Sequence, residues 1–123
     1  MKNQKEKFYR FVVNDVGIYE AVERDCSKED LRRKNKPDGL WLSKKGLEYP
    51  DAISFWSENG FKKYQNSGLM RWHISVVKEK VEVFVIDRPE EVLYEDEYQI
   101  ICKPEVMKEA KRVPLGNFMN KEK

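Results

Sequence analysis

The segment VEVFVID (81–87) constrains the fold of this chain most, because β-branched and aromatic residues dominate it and make it a clear β-strand. Two earlier runs have the same character, KFYRFVV (7–13) and AISFW (52–56). The dipeptide ND at 14–15 ends the first of them, as turn-forming residues commonly do. Three separated strands therefore require a sheet that is assembled from distant parts of the sequence.

Helical patterns lie between these strands. In VGIYEAVERDC (16–26), three apolar residues recur at i, i+4 and i+8, which predicts a short helix with one buried face. The segment 57–77 begins with Ser57, a good N-cap residue, and contains Gly68, which predicts two successive helices. Residues 27–50 show no sustained period and predict a long loop, a kind of segment that often carries function.

The remaining segments complete an α+β pattern. Residues 92–102 predict one further strand or a pair of short strands, and 104–113 a short helix or an irregular segment. The element order predicts one small domain over 1–123, with twisted, mostly antiparallel sheets and flanking helices. Flexible tails are expected at 1–6 and 117–123.

Charge and cysteine content exclude several classes of protein. The 24 basic and 22 acidic residues nearly cancel, so no net field attracts nucleic acid or a membrane surface. Residues 1–10 lack the apolar core of a signal peptide, and no run approaches a membrane span, so we expect a cytoplasmic protein without a membrane partner. Cys26 and Cys102 lie far apart in the sequence, and the chain has a single histidine, His73. We therefore expect two reduced thiols, a structural histidine and no metal site.

The first strand carries an unusual charge. Alternation places Phe8, Arg10 and Val12 on one face, so an arginine interrupts an apolar row. Arg10 either reaches solvent or an acidic neighbour from an edge strand, or it serves a functional site. The sequence leaves both interpretations open.

The last strand region, VLYEDEYQIICKP (92–104), carries several carboxylates. Strict alternation would place Leu93, Glu95, Glu97 and Gln99 on one face. Two carboxylates and an amide on one face require either solvent or a positively charged, hydrogen-bonding partner. The segment is therefore either a solvated hairpin or the wall of a site.

An arginine on the first strand, ISFWS (53–57) at the end of a middle strand, and Glu-x-Glu on a late strand together resemble the R–S–E arrangement of ADP-ribosyltransferases. The resemblance extends from about residue 8 to residue 102. It implies an ADP-ribosyltransferase-like fold that uses NAD as its substrate and modifies a macromolecule, with a protein as the expected acceptor. It also agrees with a phage or mobile-element factor that acts on a host protein.

The resemblance assigns a role to each matching residue. Arg10 would hold the NAD pyrophosphate, for which a guanidinium offers two parallel hydrogen bonds. Glu97 would stabilise the positive charge that develops on the ribose, and Glu95 would face the acceptor. Ser54 or Ser57 would be the serine that orients the glutamate. The aromatic side chains proposed to cover the nicotinamide ring are Tyr9, Tyr19 and Trp56.

Two other functions remain open on the sequence alone. A non-catalytic protein-binding inhibitor, with the same fold or an unrelated α+β fold, would need an exposed aromatic patch. A small RNA-binding protein would need the basic residues of the long loop to form one surface. Those basic residues are Arg32, Arg33, Lys34, Lys36, Lys44 and Lys45.

Overall fold

The computed structural model describes residues 6–25 and 48–118, with the side chain of Phe118 excepted. Within these ranges the chain forms an α+β domain in which three α-helices cover one face of an antiparallel sheet. Cys26, the basic residues between 32 and 45, and nearly all of the predicted long loop lie outside the described residues.

Seven strands make up the described sheet. They are β1 (Lys7–Val13), β2 (Val16–Gly17), β3 (Ile53–Trp56), β4 (Val81–Asp87), β5 (Tyr94–Glu95), β6 (Gln99–Cys102) and β7 (Lys111–Val113). Their spatial order is β5-β6-β3-β1-β4-β7, and β2 pairs with β1 on the edge that β3 also uses. All pairs are antiparallel. β1 therefore lies directly beside β3, and β6 is the next strand along the sheet.

The helices of the described chain follow the sequence pattern closely. They are α1 (Ile18–Asp25), α2 (Glu58–Asn66), α3 (Leu69–Val76) and two 3₁₀ helices, Pro104–Glu109 and Leu115–Phe118. Ser57 caps α2, because its side chain accepts a hydrogen bond from the backbone N–H of Gly60. Gly68 separates α2 from α3 with a φ of 86°, a left-handed conformation that favours glycine. Both predictions for 57–77 are confirmed.

Two strand assignments differ from the sequence prediction. Val16–Gly17 is a strand, not the first turn of a helix, because Asn14 and Asp15 both have positive φ (50° and 72°). Two such residues form the tight turn that returns a chain antiparallel to itself. Lys111–Val113, expected in a helix or an irregular segment, pairs with β4 as the edge strand β7. A three-residue strand is too short to leave a periodic signal.

Apolar side chains form a separate cluster on each face of the sheet. The helix-side cluster joins β1, β3 and β4 to the three α-helices, and its buried members include Phe11, Val13, Ile18, Trp56, Phe61, Tyr64, Leu69 and Val83. The opposite cluster contains Phe8, Phe55, Ile86, Ile100 and Cys102, with the first 3₁₀ helix packed against it. Since both faces are covered, a polar side chain on the central strands must find a partner or lie close to solvent.

Candidate functional site

The three segments that carry the R–S–E resemblance lie on neighbouring strands. The order β6-β3-β1 places them side by side, and one cross-strand row runs through Tyr9, Trp56 and Gln99. Cross-strand partners point to the same side of a sheet. Tyr9 and Trp56 pack on the helix-side cluster, so Gln99 also faces the helices.

Arg10 lies at the point along β1 where the neighbouring strand changes from β3 to β2. Its Nη1 donates a hydrogen bond of 3.1 Å to the carbonyl oxygen of Ser54, and a Cβ atom at Gly17 would lie 3.2 Å from Nη2. The guanidinium therefore occupies the gap between the two strands, and the absence of a side chain at Gly17 leaves room for it. Burial lowers the pKa of Arg10, and the negative charge of Glu20 acts in the opposite direction.

The contacts of Arg10 leave much of its hydrogen-bonding capacity unused. A guanidinium has five N–H donors, and the described part of the chain gives Arg10 one hydrogen bond and no ion pair. A partly buried charge in this situation is an attractive position for an anion, because a bidentate partner would satisfy two donors at once.

Ser57 acts through its hydroxyl, and Ser54 acts through its backbone. The Ser57 hydroxyl donates to the carbonyl oxygen of Glu97 at 2.7 Å and accepts from the Gly60 N–H at 3.0 Å. The Ser57 N–H also donates to the carbonyl oxygen of Tyr98 at 3.0 Å. Ser57 thus joins the start of α2 to the segment that carries Glu97.

The acidic stretch forms a hairpin, and its turn contains Glu97. The carboxylate of Asp96 accepts hydrogen bonds from the N–H groups of Tyr98 (2.8 Å) and Gln99 (3.0 Å) and from the hydroxyl of Tyr94 (2.9 Å). A carboxylate that binds the backbone two and three residues ahead stabilises a tight turn. Glu97 is exposed in that turn, between β5 and β6.

The hairpin changes the predicted alternation of side chains. Glu95 pairs with Ile100 across the two strands, so Glu95 lies on the face of Ile100 and Cys102, whereas Gln99 lies on the other face. The prediction that Glu95, Glu97 and Gln99 share one face of a continuous strand is therefore wrong. The reason is physical: the turn at Asp96 interrupts the two-residue period.

Arg88 holds Glu95. Its two terminal nitrogens donate to the Glu95 carboxylate at 3.1 and 2.7 Å, and its Nε donates to Glu6 at 3.0 Å. The guanidinium also lies 5.1 Å from the centre of the Phe8 ring. The hydrogen bonds that Arg88 donates to Glu95 and then to Glu6 raise the pKa of Arg88. Glu95 therefore fastens the hairpin to the end of β4.

Aromatic rings collect on the helix side of the sheet. Trp56 stacks on Tyr64, with ring centres 4.6 Å apart, and the ring centre of Tyr19 lies 6.4 Å from that of Trp56. Tyr19 is 40% exposed, and burial of the rest of its side chain raises its pKa. Tyr9 stacks on Phe61 at 4.5 Å. Tyr19 and Trp56 therefore lie together, with Tyr19 on the solvent side.

His73 is part of the core. It is 1% exposed, and its Nδ1 lies 2.7 Å from the hydroxyl of Tyr64. The expectation of a structural histidine agrees with this position. Cys102 is a buried free thiol, and burial raises its pKa to about 11, so it is protonated at neutral pH.

The predicted residues form two hydrogen-bonded pairs, Arg10 with Ser54 and Ser57 with Glu97. From the register, Arg10 and Glu97 are two strands and three residues apart, or roughly 14 Å between Cα atoms at ordinary sheet spacings. Arg10 leaves β1 on the face opposite to Tyr9. Arg10 and Glu97 therefore do not touch.

The sequence analysis missed the special position of Gln99. The residue opens β6, a strand that is buried at all four positions, and it is 8% exposed. Its Nε2 atom has no hydrogen-bond partner among the described residues. The only available signal was a polar residue directly before the apolar run IIC, and the neighbouring carboxylates obscured it.

Residues 6–25 and 48–118 contain neither a metal site nor a membrane-spanning helix. No group of three or more histidine, cysteine or acidic side chains is placed to hold a metal ion there. Helix α2, with nine residues, is the longest helix in those ranges, and none is long and apolar enough to cross a membrane.

Comparison of the chain with protein-family models, with curated proteins and with solved structures finds no match.

Proposed function

We propose that this protein is a cytoplasmic ADP-ribosyltransferase-like enzyme that binds NAD and transfers ADP-ribose to a macromolecular acceptor, a protein. The observation that carries the proposal is the placement of the three motif segments on adjacent strands, linked by the Arg10–Ser54 and Ser57–Glu97 hydrogen bonds. The two hydrogen-bonded pairs lie 44 and 40 residues apart in sequence, so their adjacency is a property of the fold and not of local structure.

Arg10 is the proposed anchor for the pyrophosphate of NAD. Its guanidinium is partly withdrawn from water and keeps donors that no described residue uses. Electrostatic attraction to a phosphate is stronger at such a position than at a fully solvated one. A fixed fork of donors also matches the geometry of phosphate oxygens.

Glu97 is the proposed carboxylate at the ribose. It is exposed, and its backbone is fixed on both sides, by the Ser57 hydroxyl at its carbonyl and by the Asp96 turn. In the transfer step, the bond from the ribose to the nicotinamide nitrogen breaks and its electron pair leaves with nicotinamide. The acceptor nucleophile then bonds to the ribose carbon and releases its proton to solvent water, while Glu97 stabilises the positive charge on the sugar.

The distance between Arg10 and Glu97 suits a long ligand. In NAD the pyrophosphate lies in the middle, and the nicotinamide ribose lies toward one end. Separate contact points for these two groups are therefore what a dinucleotide requires. Tyr19, which is 40% exposed beside the buried Trp56 on the helix face, supplies aromatic surface for the nicotinamide ring. Arg10 leaves β1 on the opposite face, so the ligand would pass around the strand edge at Gly17.

Glu95 has a different role in this proposal from Glu97. Because Arg88 binds its carboxylate through two hydrogen bonds, Glu95 contributes to the position of the hairpin. Its action on the acceptor remains a prediction from the family resemblance.

The protein-docking alternative has less support. It calls for an exposed aromatic patch, and Tyr19 is the one large apolar side chain that is exposed in the described ranges. The RNA-binding alternative depends on Arg32, Arg33, Lys34, Lys36 and neighbouring lysines, which lie outside those ranges.

The proposal is tested by incubating the protein with labelled NAD and a cell lysate, and measuring label transfer and nicotinamide release. Glu97→Gln keeps the shape of the side chain and should lower the rate about 10²- to 10³-fold, because it removes one charge interaction with the transition state. Arg10→Lys should weaken NAD binding, since lysine loses the bidentate fork.

Glu90→Gln is the matched control, because Glu90 is an exposed glutamate in the segment before the same hairpin. It should leave the rate, the NAD affinity and the melting temperature unchanged. If the unaltered protein shows no NAD binding by calorimetry, or if Glu97→Gln transfers ADP-ribose at the full rate, the enzymatic proposal is wrong and the docking alternative replaces it.

A further inference from the structure

The sheet has a narrow junction between β1 and β3. These two strands pair at a single position, Tyr9 with Trp56, whereas β1 pairs with β4, and β3 with β6, along the whole strand. The sheet therefore contains two well-paired parts, β1-β4 and β3-β6-β5, that meet at this junction. Arg10 belongs to the first part, and Glu97 lies in the hairpin of the second part.

Arg88 connects the two parts on the face opposite to the helices. Its Nε and Nη2 each lie 3.0 Å from one oxygen of Glu6, the residue before β1. Its two terminal nitrogens donate to the Glu95 carboxylate at 3.1 and 2.7 Å. The guanidinium also lies over the ring of Phe8 in β1, 5.1 Å from the ring centre. One planar group thus contacts both the first strand and the hairpin.

The contacts of Arg88 are partly shielded from water. The side chains of Arg88 and Glu6 are 25% and 29% exposed, and that of Glu95 is 44% exposed. A single exposed ion pair fixes little, because the two side chains remain mobile. A planar guanidinium that binds two carboxylates through several hydrogen bonds also fixes their relative position. Arginine therefore supplies geometry here as well as charge.

We propose that Arg88 is a positioning residue that sets the spacing between Arg10 and Glu97, and thereby the affinity for a ligand that reaches both. This inference rests on the proposed function, in which Arg10 holds the pyrophosphate of NAD and Glu97 lies at the nicotinamide ribose. A ligand with two contact points binds tightly only when the protein holds both points at the distance that the ligand spans. Arg88 acts through Glu6 and Glu95 and needs no contact with the ligand.

Arg88→Lys separates this role from a purely structural one. Lysine keeps a positive charge between the two carboxylates but lacks the planar fork that holds both of them at once. The melting temperature should therefore stay close to that of the unaltered protein, while the spacing between the two parts of the sheet is no longer fixed. Arg112→Lys is the matched control, because Arg112 binds Glu82 at 2.7 Å on the edge strand β7, away from the junction.

The probes are NAD, ADP and nicotinamide riboside, each titrated separately and followed by ligand-observed NMR below the melting temperature of every variant. ADP carries the pyrophosphate without the nicotinamide ribose, nicotinamide riboside carries that ribose without the pyrophosphate, and NAD carries both. Arg88→Lys should lower the affinity for NAD about tenfold and leave the other two affinities unchanged, because only NAD depends on the spacing. Arg112→Lys should leave all three affinities unchanged.

The inference is overturned if the unaltered protein binds NAD no more tightly than ADP, if Arg88→Lys keeps the full NAD affinity, or if it weakens all three ligands equally. Failure of the enzymatic proposal has a different result. If NAD affinity depends on Arg88 but ADP-ribose is not transferred, the positioning role stands and the transfer activity falls. If ADP-ribose is transferred but NAD affinity does not depend on Arg88, the positioning role falls and the activity stands.

Discussion

Replacing Gly60 by alanine should destabilise this protein, although the same change stabilises most helices. Gly60 lies in the first turn of α2, where alanine is ordinarily favoured over glycine by about 0.5–1 kcal/mol. Here the new Cβ would lie 1.9 Å from the carbonyl oxygen of Tyr98 and 2.9 Å from the Trp56 ring. Packing therefore opposes helix propensity at this position.

The size of the stability loss follows from how far α2 and the hairpin must separate. A Cβ atom is essentially never found within 3.0 Å of a heavy atom, so α2 and the hairpin must separate by about 1 Å. The Tyr98 carbonyl cannot shift freely, because it accepts the Ser57 N–H at 3.0 Å. Overpacking of this kind costs about 1–3 kcal/mol, and the loss of cap geometry adds to that cost. We expect a net loss of about 2 kcal/mol in the free energy of unfolding.

The measurement is urea denaturation, followed by tryptophan fluorescence. A loss of about 2 kcal/mol lowers the midpoint on the order of 1 M urea at an ordinary slope for a domain of this size. Gly116→Ala is the control, because a Cβ atom there would have no neighbour within 4 Å in residues 6–25 and 48–118, and its midpoint should remain unchanged. A Gly60→Ala midpoint equal to that of the unaltered protein, or higher, would show that α2 does not press on the hairpin and would refute the reasoning.

Two further changes probe the helix side of the domain. Tyr64→Phe keeps the aromatic stacking but leaves His73 Nδ1 without the hydroxyl 2.7 Å away, so the free energy of unfolding should fall by about 1–3 kcal/mol; an unchanged urea midpoint would contradict this. The pKa of Asp25 lies below its ordinary value of 3.8, chiefly through hydrogen bonds from Arg24 and then from the Lys78 N–H. A carboxyl group with a lowered pKa in the folded state stabilises the protein above its unfolded pKa, and this contribution disappears as the pH falls through the folded pKa. Stability measured by urea denaturation from pH 7 down to pH 2 should therefore decrease less for Asp25→Asn than for the unaltered protein, and equal decreases would exclude this role.

The sequence by itself determined the elements that depend on local pattern. The strand at 81–87, the capping of α2 by Ser57 and the break at Gly68 all follow from residue types and their spacing over a few positions. The α+β class follows in turn, because the chain alternates between strand and helix periods. The location of Arg10 on a β-strand was predictable for the same reason.

Only the tertiary structure decided what these residues contact. The edge strand β7 is defined by its pairing with β4, since three residues carry no period of their own. The partner of Arg10, Ser54, comes from a distant segment, and no periodic pattern pairs Glu95 with Arg88 seven residues before it.

The turn at Asp96 shows the physical reason most directly. A single side chain that binds two backbone N–H groups reverses the strand and moves Gln99 to the face opposite Glu95. Alternation is a reliable guide only while the strand continues, and a one-residue change of register exchanges the two faces. The sequence therefore specified which residues carry charge, and the three-dimensional pairing of strands decided which of those charges were already bound and which remained available.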